Sequence, residues 1–203
     1  MQFPLSSANP LILSLLTSLL LATSVTQAQP ADWEIDPEHF SIAFGAGHIG
    51  FQQQLGMFLE ASGSFRYDPA TRELISGRVE VKADSIFTDH DDRDDHLRGR
   101  DFLNARRHPV IAFEATKWTP SGEDERRGTL TGNLTMLEET HPVELDVTIN
   151  KQDRYPFGHR SETLGISANT TILRSRWGMD YGVADNLVGD EVSLRFEFEA
   201  LRQ

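Results

Sequence analysis

The stretch DHDDRDDHLRGRDF, residues 89–102, packs six aspartates, three arginines and two histidines into fourteen positions. Residues of these types can cage a metal, pair as acid and base, or simply solvate a turn. A calcium loop of the EF-hand type needs oxygen ligands at positions 1, 3 and 5, a glycine at 6 and a bidentate Glu at 12. Counted from Asp89, position 5 is Arg93 and position 12 is Arg100; counted from Asp92, positions 6 and 12 are Leu97 and Leu103. Both registers fail. For zinc, His90 and His96 would stand about 120° apart on a helix. Asp92 with His96 gives two ligands where three or four are required. The order of charges suits a short helix better. Aspartates first and HLRGR last complement a helix dipole, and Asp92–His96 and Asp94–Arg98 have i,i+4 spacing. Leu97, Phe102 and Leu103 supply an apolar side, and Pro109 ends the segment. A capped helix or tight loop strapped across neighbouring strands is expected here.

Other signatures of chemistry are missing. The chain has no cysteine, no G-x-S-x-G elbow and no H-E-x-x-H pair. Of seven histidines, His48 lies in a bend between Gly47 and Gly50 and is the one placed to meet the polar end of a ligand. Its plainer reading is a histidine bonded to backbone at that bend. No catalytic residue, metal or cofactor is expected.

The elements that must position any site begin after a leader. LILSLLTSLLLA, Leu11 to Ala22, is a short apolar run followed by small residues, with Thr26 and Ala28 at the −3 and −1 positions of a cut. It reads as a secretory signal peptide over residues 1–28. Residues 29–203 then form one domain, long enough for a sizeable core. The leader carries no charged side chain, so the whole net charge of −12 falls on that domain. Such a balance argues against nucleic acid or an anionic membrane as partner. An exported domain without disulfides must be held by packing. The periplasm is the expected location, with free secretion as the alternative.

Within the domain the pattern has period two. Val79, Val81 and Ala83 alternate with Arg78, Glu80 and Lys82; Ile111, Phe113 and Ala115 alternate with Ala112, Glu114 and Thr116. Leu130, Leu134 and Met136 share a side, as do Val143, Leu145, Val147 and Ile149, and Val192, Leu194, Phe196 and Phe198. Turn formers separate these runs. This is an antiparallel sheet with one buried face, which requires a second sheet or closure on itself. Glycines 45, 47 and 50, inside an apolar run, mark bends and favour a barrel over a sandwich.

Five segments resemble the YceI-like, polyisoprenoid-binding family. They are HFSIAFGAGHIG (39–50), DRDDHLRGRDFLNARRHPVIAFEAT (92–116), GTLTGNLTMLEETHPVELDV (128–147), ISANTTILRSRWGM (166–179) and VGDEVSLRFEFEA (188–200). The D-R-x-x-H-L-R…D-F element, carried by Asp92, Arg93, His96, Leu97, Arg98, Asp101 and Phe102, is the most specific. The resemblance spans about Trp33 to Ala200. It implies an all-β, extended lipocalin-like antiparallel barrel of about eight strands with a short helix between strands. It also implies a carrier that holds a long-chain polyisoprenoid, an isoprenoid lipid or quinone, outside the cytoplasm. An exported hydrolase or isomerase acting on a lipid in the same barrel is the alternative. The candidate wall residues are Phe40, Ile42, Phe44, Phe51, Met57, Phe58, Phe113, Met136 and Trp177, with His48 at a polar end. RWGMDYG departs from the family's usual segment and sets Trp177 where it would narrow or cap the cavity. Twelve phenylalanines against three tyrosines lean the interior towards hydrocarbon. A homodimer is compatible with this reading, and any contact with a membrane is expected to be transient.

Overall fold

The computed structural model describes residues 29–122 and 125–203; the expected leader over 1–28 lies outside the described residues. Ten strands and one α-helix follow in order: β1 (Ala31–His48), β2 (Gln52–Phe58), β3 (Ala61–Asp68), β4 (Glu73–Lys82), β5 (Ile86–Phe87), α1 (Asp91–Arg98), β6 (Val110–Ser121), β7 (Arg127–Met136), β8 (Glu139–Arg154), β9 (Glu162–Leu173) and β10 (Val188–Arg202). All pairings are antiparallel. Eight strands close into a ring, β1-β10-β9-β8-β7-β6-β4-β3, sealed by pairing of β1 with β10. Closure removes the free edges an open sheet would present. The barrel of about eight strands expected from the sequence is the one formed.

Strand β1 makes this barrel extended. Its first residues, Ala31 to Glu34, pair with β3, while Ile42 to His48 pair with β2. The ring therefore splays along the second half of β1, and β2 and β5 hang there as a flap. At the tip of that flap Ile49 and Gly50 both have positive φ, 50° and 72°. The Phe51 amide donates to the His48 carbonyl at 2.9 Å and closes a tight turn over these two residues. The glycines that suggested a barrel corner thus include a hairpin tip.

The segment after β5 fills the splayed end. His90 caps α1 by accepting from the Arg93 amide, and Asp91, Asp92 and Asp94 occupy the first turn, as the charge order predicts. The pairs Asp92–His96 and Asp94–Arg98 do not form. His96 meets Asp101 at 3.0 Å and Arg98 meets Asp95 at 3.1 Å. Asp94 is instead buried, accepting from the Thr88 amide at 2.8 Å and the Thr88 hydroxyl at 2.5 Å. Arg98 donates to the carbonyls of Asp84 and Ile86, and Arg93 to Thr88. With these bonds made, Phe102 and Leu103 sit buried against the barrel. The charged stretch is a strap.

Candidate functional site

The alternation that closes the barrel also gives it an apolar interior. A cavity of about 300 Å³ runs inside, at the lower end of the range for small-molecule sites. Its wall follows β10 from Val188 to Phe198, about 33 Å of strand at 3.3 Å per residue. Val143, Leu145, Val147 and Ile149 of β8 face it, as period two requires.

Glycines let the aromatic wall lie flat. A Cβ on Gly132 would stand 2.2 Å from Cζ of Phe113, and one on Gly56 would stand 2.3 Å from Cζ of Phe44. These rings therefore fold over bare backbone and leave the axis of the barrel open. Phe44 and Phe58 meet at 5.7 Å between centroids, within the range for favourable aromatic pairs.

Six of the ten expected residues reach this wall: Phe40, Ile42, Phe44, Phe58, Phe113 and Met136. Four do not. Phe51 follows the hairpin tip and is 88% exposed. Met57 precedes Phe58, which faces inward, so strand alternation turns Met57 to the other side. His48 is exposed at the end of β1. Trp177 is fully buried behind the wall, in a 3-10 turn after β9, and its indole N–H donates to the Leu134 carbonyl at 3.0 Å. It neither narrows nor caps the cavity; it packs edge-on to His141.

Sequence reasoning also missed residues. The β6–β7 register slips between Ala115 and Lys117, and this bulge returns Trp118 to the interior although simple alternation points it out. Tyr67, 7% exposed, borders the cavity at the same end, near Leu74 and Ile149. Arg174 borders it at the other end. The LRSRW run holding Arg174 was the available signal, but nothing in a charged turn announces a buried guanidinium.

Three charged residues border the cavity, and all are bound elsewhere. Arg174, 3% exposed, donates to the carbonyls of Gly189, Met179, Tyr181 and Val188. It also lies 5.5 Å from the Phe102 ring centre. Burial holds its guanidinium below the usual arginine value, against the nearby Asp190 and Asp180. Arg78 pairs with Glu80 and Glu114 on the outer surface. Glu197 accepts from the Ser167 hydroxyl at 2.5 Å, which holds its carboxyl below the ordinary 4.5; burial opposes this and Arg195 adds to it. Burial raises the Tyr67 phenol, so it stays a neutral hydroxyl.

At the Tyr67 end a second, polar hollow adjoins the first. Tyr67 and Ile149 border both. Its rim carries Arg72, Arg126, Arg154 and Arg160 with Glu125, Asp153 and Glu162. The Trp118 indole N–H, close by, is buried with no acceptor, as is that of Trp33.

The family model described as the YceI-like domain matches residues 33–200. A UPF0312 protein of Pseudomonas paraeruginosa is 33% identical over 181 residues, covering 87% of this chain and 90% of its own. A UPF0312 protein of Pectobacterium carotovorum is 32% identical over 192 residues, covering 93% and 95%. Among solved structures, the Campylobacter jejuni YCEI protein superposes with a TM-score of 0.68 at 27% identity, over 77% of this chain and 90% of that one. Burkholderia cenocepacia BcnA gives 0.71 at 20% identity, over 81% and 98%. A polyisoprenoid binding domain from Saccharophagus degradans gives 0.61 at 11% identity, over 86% and 100%. The last two share the fold with this chain.

Proposed function

Since this chain belongs to the YceI-like family, we infer that it is an exported carrier holding the chain of a long isoprenoid lipid inside its barrel. One observation carries the reading: an elongated hydrocarbon wall whose bordering charges are all satisfied outside the cavity. Each CH₂-sized unit moved from water to such a wall gains about 0.8 kcal/mol. A chain of tens of carbons would exceed the practical ceiling of about −18 to −21 kcal/mol were it not for the cost of ordering the chain and incomplete burial. Affinity is therefore easily supplied, and shape selects the ligand. A cavity of about 300 Å³, at the lower end of the range for small-molecule sites, favours a thin extended chain over a bulky ligand. That the Saccharophagus domain of the same fold is described as polyisoprenoid binding supports the choice of lipid.

The head group sits at the Tyr67 end. There the hydrocarbon wall gives way directly to the arginine-bearing hollow, which can take a polar head. At the opposite end Arg174 has its donors committed to four carbonyls. A hydrolase or isomerase would need a nucleophile or an acid–base pair facing the lipid. Among the described residues no histidine borders the cavity, and its one carboxylate, Glu197, is held by Ser167 and Arg195.

The test is organic extraction of protein purified from its native compartment, followed by mass spectrometry. One long-chain isoprenoid per polypeptide is expected. Recovery of no lipid, even after incubation with isoprenoid quinones and polyprenyl phosphates, would overturn the proposal. Cell fractionation should find the chain in the periplasm with the leader removed.

A further inference from the structure

Where β1 closes the ring against β10, Ile35 pairs with Ala200 and Phe40 with Phe198. Between these pairs β1 inserts Asp36, Pro37, Glu38 and His39 against the single residue Glu199. An insertion of this size bends the strand and re-aims its side chains. Here it turns two side chains back upon the partner strand. Nδ1 of His39 stands 2.8 Å from Oδ2 of Asp36 and 3.9 Å from Oε2 of Glu199. The three candidate ligand atoms all lie within 4.8 Å of one another.

Two further observations point to a ligand. Oε2 of Glu199 is shut off from solvent and has no hydrogen-bond partner, a costly state for a carboxylate oxygen unless a donor or cation serves it. Asp36 is 8% exposed, and its other oxygen is fixed by the Glu38 amide at 2.9 Å. This outer bond orients the carboxylate as the supporting bonds of metal ligands do.

We propose that Asp36, His39 and Glu199 bind a divalent first-row transition cation, zinc first among them, at the seam of the barrel. One imidazole nitrogen and two carboxylate oxygens suit zinc, and nothing there offers the sulfur that copper(I) prefers. Tetrahedral zinc with bonds of 2.0–2.2 Å sets its ligands roughly 3.3–3.6 Å apart. The observed spacing brackets this, so small side-chain rotations complete the site. Three protein ligands leave a fourth position for water. The Tyr155 ring lies 6.4 Å from that of His39 and 4.5 Å from that of His159, and His39 itself is half-exposed, open to an incoming ion. The ion would tie the beginning of the domain to its end, and it would stabilise the folded state by mass action. No metal was expected from the sequence, whose acid-rich stretch over residues 89–102 fails the spacing of a metal site. The proposal is independent of the lipid.

Calorimetric titration of the EDTA-stripped protein with ZnCl₂ tests it. One site per chain is expected, with a zinc-dependent rise in Tm. Glu199→Gln and His39→Ala should each weaken binding at least tenfold, while Asp95→Asn, on the exposed strap, leaves it unchanged. Glu199→Gln preserves shape and carries the test should His39→Ala fold poorly. In the unsubstituted protein, stoichiometric Co²⁺ should shift the ring resonances of His39. Absence of stoichiometric zinc uptake, uptake that survives both substitutions, or an unmoved His39 signal would leave only an imidazolium bonded to Asp36 and overturn the proposal.

Discussion

At the Arg174 end of the barrel the buried donors of Arg174 and Trp177 are matched, and only the His141 Nε2 beside Trp177 is left without a partner among the described residues. One guanidinium serves four carbonyls, the Trp177 indole serves a fifth, and Arg98 of the strap ties to the carbonyls of Asp84 and Ile86. At the Tyr67 end the indole N–H groups of Trp33 and Trp118 are buried without acceptors, and the hydrocarbon wall runs out into a charged hollow. Orphaned buried donors each cost about 1–3 kcal/mol and tend to have a functional explanation. The contrast teaches that at one end folding itself serves the buried guanidinium and indole donors, while at the other two indole donors and an open polar hollow are left for a ligand to complete.

The largest effect should come from breaking the Arg174 end. Arg174→Met strips donors from four carbonyls and should cost on the order of 3–5 kcal/mol, lowering Tm by about 10 °C at this chain length. Trp118→Phe, which removes an unpartnered donor, should stay within about 1 kcal/mol of the parent. Equal losses in thermal melts would erase the distinction.

Filling the middle should separate binding from folding. Ala168 faces the cavity between Val147 and Phe196, so Ala168→Phe places a ring across the path of the ligand. Lipid recovered per chain should fall at least tenfold, with stability within about 2 kcal/mol of the parent. Full lipid loading in this variant would remove the ligand from the cavity.

A smaller effect is expected at the rim. Arg154→Glu with Arg160→Glu should weaken loading of a phosphate-headed isoprenoid several-fold and a quinone less. As surface changes they should leave stability within about 0.5 kcal/mol. Equal effects on both lipids would move the head group away from this hollow.

The smallest is a pH effect at the wall. Glu197 titrates below 4.5 because Ser167 donates to it, so its contribution is present above pH 4.5 and is lost as pH falls through the lowered folded value. Ser167→Ala should cost less than about 1 kcal/mol at neutral pH, given screening by solvent. The gap from the parent should close on acidification in urea melts run from pH 7 to 3. A gap that widens in acid would contradict the assignment.

Much of the barrel was legible because burial on one face writes itself as alternation. Every inward residue read from β8 and the last strand lines the cavity. The errors fall where alternation is broken or was not applied strictly. Trp118 was hidden by the bulge before it, and Phe51 lies beyond a hairpin tip that glycine and isoleucine make together. Met57 and Phe58 are neighbours on one strand and cannot both face in, a conflict already present in the sequence. The Asp36–His39–Glu199 cluster depends on a pairing across more than a hundred residues, and Arg174 on the way the turn after it folds back over its guanidinium; no local pattern encodes either.

Native mass spectrometry of the purified protein addresses the central claim most directly. The account predicts a single adduct of isoprenoid mass on the folded chain, absent from Ala168→Phe prepared in parallel. A chain that remains ligand-free after exposure to isoprenoid lipids, or an adduct that persists undiminished in the blocked variant, would contradict it.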